Sequence, residues 1–408
     1  MESNVTPIKF RNEGKKYKRA RQDGGILRMD FALFFTVIAI CLFGIVMLFS
    51  ASYYKGISEF GDGYHFVKSQ IEYFAIGIVV MLGVSFIPYS LYRKRISILL
   101  GYIAIIALLI LTLVKGKTVL GAKRWVQLGP INMQPSELVK FILIICISAY
   151  MSRFAGKMNK FPVSILGVLA LIVLPCALIY LQPNMSMLII ICAVTFLMMF
   201  MGGAKLKHLA ILAVIGVIGL IVLSLAKGYR SGRFTSWLHP WDDPKGSSYQ
   251  VVQSLFAFGN GGLFGQGLDA SRQKLLFLPE MENDYILAII AEELGFVGVL
   301  ALMLAYMFVI YRGIRVALSV KDRFAALVAG GITAMLAVQI IVNIAVVTNS
   351  IPATGQTLPF ISAGGSSLVV FMGATGILLN ISRYTEKRRT PLFPKRKTAE
   401  DLPAEQSA

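Results

Sequence analysis

The chain is 408 residues long, 56% hydrophobic and only 15% charged, with a formal net charge of +19. An ordinary soluble domain is about 45–50% apolar and about 25% charged, so a disordered chain, a coiled coil and a typical soluble enzyme are excluded. Four Cys and three His leave little material for a protein-built metal cluster.

The chain opens on a basic tail, residues 1–30, which carries Lys15, Lys16, Lys18 and Arg19. Ten apolar stretches follow, at about 31–52, 71–88, 96–114, 136–151, 161–181, 185–203, 209–226, 285–311, 324–347 and 366–381. Most reach the roughly 17–25 residues that cross a bilayer as helix. The fourth and tenth are shorter and must borrow interfacial residues. The first is too long for the apolar segment of a signal peptide, about 7–15 residues, and a charged tail precedes it. A second basic tail, 383–408, closes the chain with Lys387, Arg388, Arg389, Lys395, Arg396 and Lys397.

Charge orients these spans. With the N-terminus in the cytoplasm and strict alternation, most of the 40 Lys and Arg fall on the inner side. The positive-inside rule then accounts for almost the whole net charge, and nucleic-acid binding is set aside. The expected fold is an all-α polytopic membrane protein with about ten transmembrane helices and both termini cytoplasmic. Its tails are expected against anionic lipid. Cys41, Cys146, Cys176 and Cys192 all fall within spans, where buried, apolar and unpaired is the expected state.

Three segments between spans are unusual, and all lie on the outer side. Residues 115–140 carry Lys115, Lys117, Lys123, Arg124 and Lys140, against the positive-inside trend, which calls for an anionic ligand or lipid headgroups. Glu137 and Lys140 are three apart at a helix start and share a face, so a local ion pair is expected. The loop 227–283, between spans seven and eight, is too long for a plain connector. Within it, 249–258 reads as a short amphipathic or re-entrant helix. Its glycine-rich stretch 259–267 follows no strand, so it reads as a sharp re-entrant turn and not as a nucleotide cradle. Asp284, at the start of the eighth span, has the chemistry of an N-cap. Glu292 and Glu293 follow inside apolar sequence, where carboxylates mark a functional site or an internal pair. In 348–367, Pro352, Gly355, Pro359, Gly364 and Gly365 forbid a regular helix. Gln339 and Asn343, four apart in the preceding span, must face protein or water.

Several of these stretches, in order, resemble the SEDS proteins (shape, elongation, division and sporulation), the group of RodA, FtsW and SpoVE. They are GAKRWVQLGPINMQPSELVK (121–140), LQPN (181–184), HPWDDPKGSSYQVVQSL (239–255), GNGGLFGQGL (259–268), QKLLFLPEMENDYILAIIAEELGF (273–296) and PATGQTLPFISAGGSS (352–367). The chain departs from the family's common forms at Asn184, at His239-Pro240-Trp241, at Asp269, at Glu282-Asn283 and at Ala363, which leaves the subgroup open.

The resemblance implies a ten-helix membrane domain over 31–382. It implies a peptidoglycan glycosyltransferase that polymerises lipid II at the outer face of the bacterial cytoplasmic membrane. The partners it implies are a class B penicillin-binding protein and other membrane proteins of a divisome or elongasome. The family's essential aspartate carries onto Asp284, and its cavity residues onto Lys123, Arg124, Glu137 and Lys140.

The chemistry is coherent with that set. A diphosphate leaves readily, so the reaction needs positive charge from Arg, Lys or a divalent cation, Mg or Mn, and no strong general acid. The attacking hydroxyl needs one carboxylate as base, which is Asp284, with Arg124, Lys123 and Lys140 toward the diphosphate. No metal site built from protein side chains is expected. Glu292 and Glu293 are expected to organise the helix interface or the cavity floor rather than do chemistry. Two other readings are open: a lipid II flippase, which should show internal repeats with interrupted spans, and a non-catalytic scaffold of a wall-building complex. No such repeat is visible.

Overall fold

The computed structural model describes residues 29–119, 122–128, 131–225, 233 and 235–385. The calls on the basic tails beyond residues 28 and 385, and on 227–232 and 234 of the long loop, lie outside the described residues.

The described residues include eleven α-helices, in chain order. They are α1 (Phe31–Phe60), α2 (His65–Phe86), α3 (Arg95–Lys115), α4 (Pro135–Arg153), α5 (Gly167–Leu181), α6 (Met185–Met201), α7 (Leu206–Leu225), α8 (Tyr249–Gly261), α9 (Ile286–Ser319), α10 (Arg323–Val347) and α11 (Ser366–Ser382). A π-turn, Pro162–Leu166, leads into α5. All but α8 coincide with one of the ten apolar stretches. Seven, counting Pro162–Leu181 as one, are long and apolar enough to cross a membrane. Met185–Met201, Leu206–Gly216 and Ser366–Ser382 are apolar and shorter. This is a mostly helical, multi-pass membrane protein.

Local chemistry sets several helix ends. Asp30 accepts from Leu33 N–H at 3.0 Å, Asn184 from Met187 N–H at 3.3 Å and Asp322 from Phe324 N–H at 3.1 Å, as N-caps do. Gly61, at φ 69°, closes α1 in the left-handed region. Two spans run longer than the sequence reading: α1 continues to Phe60 and α9 to Ser319.

The all-α expectation needs one correction. Residues 117–133 form a three-stranded antiparallel sheet of β1 (Lys117–Val119), β2 (Ala122–Leu128) and β3 (Ile131–Met133), in that order. Lys117 pairs with Trp125 and Val126 with Met133. Val, Thr, Ile and Trp at these positions favour strands.

The cysteines also depart from expectation. Cys41 and Cys146 are buried, Cys176 is half-buried and Cys192 is exposed; all four are free. On an outward helix face the solvent is lipid, so burial in protein is not required there.

The core gathers round α4 and α10. In each, 67% of the apolar stretch is buried inside the protein, against 17% in α3. Polar side chains on α4 and α10 therefore meet protein and not lipid. Two polar ties join antiparallel α1 and α9. At one end Asp30 forms a two-point ion pair with Arg312, at 2.6 and 2.8 Å. At the other, Ser50 Oγ donates to Glu293 at 2.6 Å. Asp30 to Ser50 is 20 residues and Glu293 to Arg312 is 19, or about 30 Å of helix at 1.5 Å per residue. That is about the thickness of a bilayer's hydrocarbon core.

α9 is broken between these ties. Gly295 has φ 65° and ψ −168°, and the glycine-rich segment after α8 lies in the break. Gln266 and Gly267 donate to the carbonyls of Glu292 and Glu293 at 2.9 and 3.0 Å, and Phe296 and Val297 donate back to Gly262 and Leu263 at 2.9 and 3.1 Å. Residues 262–267 thus form a sharp turn, a strap seated on α9, while 259–261 close α8.

Candidate active site

Asp284 lies just ahead of α9, and its carboxylate does not cap the helix. The cap position is Tyr285, and no side-chain cap bond forms there. Asp284 is 9% exposed, outside the apolar helix itself. Burial, with Glu280 and Glu282 nearby, pushes its carboxyl from an ordinary 3.8 up to about 7, opposed by its own main-chain N–H and by Arg233. At neutral pH such a group holds and releases a proton with equal ease, as proton-transfer chemistry requires.

The loop bearing Asp284 is stitched to the segment 352–365. Ser362 Oγ donates to Asn283 O at 2.6 Å and accepts from Leu358 N–H at 2.8 Å. Ala363 N–H donates to Glu282 O at 2.8 Å. Gln70, from α2, holds Ser362 O at 3.1 Å. Gly355, at φ 66°, passes beside the carboxylate; a Cβ there would stand 3.8 Å from Asp284 Oδ2.

α10 supplies two amides to the same segment. Gln339 Nε2 donates to Thr357 O at 3.1 Å. Asn343 Nδ2 donates to both Gln356 O and Asp284 O, each at 2.8 Å. Glu137 and Lys140 of α4 join here. They form the expected ion pair, at 2.8 Å, with both side chains almost fully buried, and Lys140 also donates to Gln339 Oε1 at 2.7 Å. A buried pair of this kind stands only when its remaining hydrogen bonds are met, and Gln339 meets one of them.

Arg124, on β2, reaches the turn after α5. Its Nε donates to Gln182 O at 3.4 Å and its Nη2 to Pro183 O. That turn leads into α6, where Ser186 Oγ donates to Thr354 O. Segment 352–358 is therefore the meeting point of the residues read from sequence: Asp284 directly, Glu137 and Lys140 through Gln339, and Arg124 through the 182–186 turn. Lys123 is not drawn in. It is exposed, and consecutive side chains on a strand point to opposite faces. Among the described residues no hydrogen bond or ion pair joins Lys123 to this network.

Two lysines escaped the sequence reading. Lys55, near the end of α1, pairs with Glu282 at 2.5 Å and Glu280 at 3.9 Å. Its signal was available: it stands out as a cation at the outer end of an apolar span. Lys274 is 1% exposed and bridges Glu293 at 3.2 Å, Ser50 at 3.2 Å and Asp269. Glu292 holds Asn260 at 3.2 Å, Gln273 N–H at 3.2 Å and Ser271 Oγ. Both glutamates thus organise an interface, as expected of them, by fastening the strap to α1 and α9.

Comparison with known proteins follows the same lines. The model of a family described as cell cycle protein, that of FtsW, RodA and SpoVE, matches residues 31–387. Stage V sporulation protein E of Bacillus subtilis is 37% identical over 358 residues, covering 87% of this chain and 97% of that protein. A protein of Geobacter metallireducens named probable peptidoglycan glycosyltransferase FtsW is 36% identical over 367 residues, 90% of this chain and 97% of its own length. Among solved structures, a chain from work on coordination of polymerization and crosslinking by a peptidoglycan synthase complex superposes with a TM-score of 0.71. It is 26% identical, over 88% of this chain and 99% of that one. Rod shape determining protein RodA of Thermus thermophilus gives a TM-score of 0.62 at 26% identity, over 88% and 99%.

Proposed function

This chain belongs to the FtsW, RodA and SpoVE family, and from that premise we propose that it is a peptidoglycan glycosyltransferase whose general base is Asp284. The substrate is lipid II. Asp284 takes the proton of the acceptor's 4-hydroxyl as that oxygen attacks the anomeric carbon of the donor sugar. The bond from that carbon to the diphosphate oxygen breaks, the polyprenyl diphosphate leaves, and in-line attack inverts the centre. The observation that carries this role is the state of the Asp284 carboxylate, buried outside the apolar helix, unused as a cap and held at about 7.

Arg124 supplies positive charge toward the diphosphate, where it matters most as negative charge develops; Lys123, on the opposite face of β2, is left out of that role. Lys140 and Glu137, committed to each other and to Gln339, set the shape of the cavity floor. A divalent cation, Mg or Mn, comes bound to the diphosphate.

The partner is a class B penicillin-binding protein, which cross-links the strands made here, alongside other membrane proteins of the wall-building complex. The location is the bacterial cytoplasmic membrane, with ten spans in a domain over 31–382. Both basic tails, 1–30 and 383–408, lie inside against anionic lipid, and the 227–283 loop lies outside.

The test is glycan polymerisation from lipid II by the purified protein, alone and with its cognate penicillin-binding protein, with Asp284→Ala in parallel. The expected result is polymer from the wild type and a loss of at least about 10²-fold in the variant. Polymer from both removes Asp284 from the mechanism. No polymer under any pairing turns the reading to a flippase, which lipid II movement across vesicles would then detect.

A further inference from the structure

We infer that Asn343 is a positioning residue: its side-chain amide clamps the main chains of Asp284 and Gln356 together and so fixes where the Asp284 carboxylate stands. The inference rests on the reading of Asp284 as general base and adds a residue to it.

Asn343 is fully buried in α10. Its Nδ2 donates 2.8 Å bonds to two carbonyls from different loops, Asp284 O and Gln356 O. An amide nitrogen carries two N–H groups, so both bonds can be made at once. Turning the amide over would set Oδ1 against two carbonyl oxygens, so the acceptors themselves fix its orientation. Oδ1 has no hydrogen-bond partner among the described residues. Leaving a buried acceptor unmet carries a free-energy cost, which an apolar side chain of the same size would avoid. The amide is therefore better explained by its two donors than by packing.

The two carbonyls matter for where they lie. The first turn of α9 leaves Asp284 O aside, since Ala288 N–H turns back to Tyr285 O at 2.9 Å. Asn343 is the donor that holds it among the described residues. Gln356 follows Gly355, the residue that passes beside the carboxylate. One amide thus fixes both the main chain of the base and the segment that passes beside its carboxylate. Gln339, one turn earlier, does the same for Thr357 but touches nothing of Asp284.

Loss of the clamp should alter the carboxylate's setting as well as its position. The charged and titratable groups around it are Glu280 and Glu282 on its own loop, Lys55 of α1 paired with both, Arg233, Tyr285, and the Glu137–Lys140 pair of α4 beyond Gln339. All of these stay in an Asn343 variant. What changes is water's access to Asp284, and burial is the main cause of its raised value.

The experiment measures polymerisation from lipid II against pH, using full-length protein with its cognate penicillin-binding protein. Wild type, Asn343→Leu, Asn343→Ala and Asp284→Asn are compared. Leu keeps the volume without donors; Ala carries the same test should Leu fail to fold. The expected result is a kcat lowered on the order of 10²-fold, with KM for lipid II within about threefold. The acid limb of the pH profile should move to lower pH. Wild-type rates in both Asn343 variants overturn the inference. So does a lowered kcat with the acid limb unmoved, which is the mark of a structural role alone. Both of those outcomes leave Asp284 as the base. An Asp284→Asn protein that still polymerises overturns the base itself, and the clamp with it.

Discussion

Asp284 titrates near 7 in the folded protein against an ordinary 3.8, and the sign of that shift has consequences for stability as well as rate. Between those values the folded state binds a proton that the unfolded chain does not, so stability falls as pH rises through this window. Below about 3.8 the group costs nothing; above about 7 the full cost of a buried charge is present. Asn, which never ionises, removes it. Asp284→Asn should therefore stabilise the protein at pH 8, by up to on the order of 4 kcal/mol at 1.36 kcal/mol per pKa unit. The gain should shrink to less than about half of that at pH 5. Thermal unfolding in detergent at the two pH values checks this. A variant that gains equally at both would mean that the carboxylate is not raised by its surroundings. The same titration governs rate in the opposite sense, since a base must be unprotonated to act. A residue that lowers stability where it raises rate is behaving as a functional group, and its neighbours must restrain it.

The strap on α9 is bound to the helix through main-chain hydrogen bonds that leave no room for a side chain. Gly265 has φ 81°, and a Cβ there would stand 2.1 Å from Glu293 O. Ala at this position meets both a strained backbone and a collision with main chain. Gly265→Ala should cost about 2 kcal/mol or more, whereas Gly216→Ala, in α7 with nothing within 4 Å of the new Cβ, should be neutral or slightly stabilising. Melting temperatures of the two variants side by side decide this.

Half of this contact was legible in advance. Five glycines in 259–267 announce a sharp turn, but the receiving break at Gly295 looks in sequence like a tolerated glycine in an apolar helix. Only the packing of two distant segments exposes it. The same holds for other elements. Long apolar runs located all ten apolar helices, because hydropathy is a local property. The sheet at 117–133 escaped because its outer strands are three residues long, too short to display a period of two, and its charges drew the reading instead. At the site, Asp284, Glu137, Lys140 and Arg124 were legible through motif and charge. Their common dependence on segment 352–358 was not, because it runs through main-chain carbonyls that every residue possesses. Lys55 was passed over because a lysine near a helix end ordinarily snorkels to water, and Lys274 because a lysine in a loop is ordinarily exposed. Here each bends instead to carboxylates from another segment.

Across the whole molecule, the two ties between α1 and α9 act as depth markers. The Asp30–Arg312 pair and the Ser50–Glu293–Lys274 cluster lie about 30 Å apart along the helices, a separation that matches the hydrocarbon thickness of a bilayer. If that separation spans the hydrocarbon, Glu292 and Glu293, which in sequence read as carboxylates inside a span, come at one end of it, where ionised groups are far less costly. Residues 286–293 are wholly enclosed by protein. Asp284 stands above them, on the same side as the strap. This arrangement makes an orientation prediction. Leu268, between α8 and α9, and Lys205, between α6 and α7, are both exposed, and the proposed topology puts them on opposite faces. With both termini inside, Leu268→Cys should react with a membrane-impermeant thiol reagent in intact cells. Lys205→Cys should react only after the membrane is opened. The wild-type protein supplies the baseline, since its cysteines all lie within helices. The mirror-image result would put Asp284 on the cytoplasmic face. It would deny the base any access to an acceptor strand outside, however well the residues around it are placed.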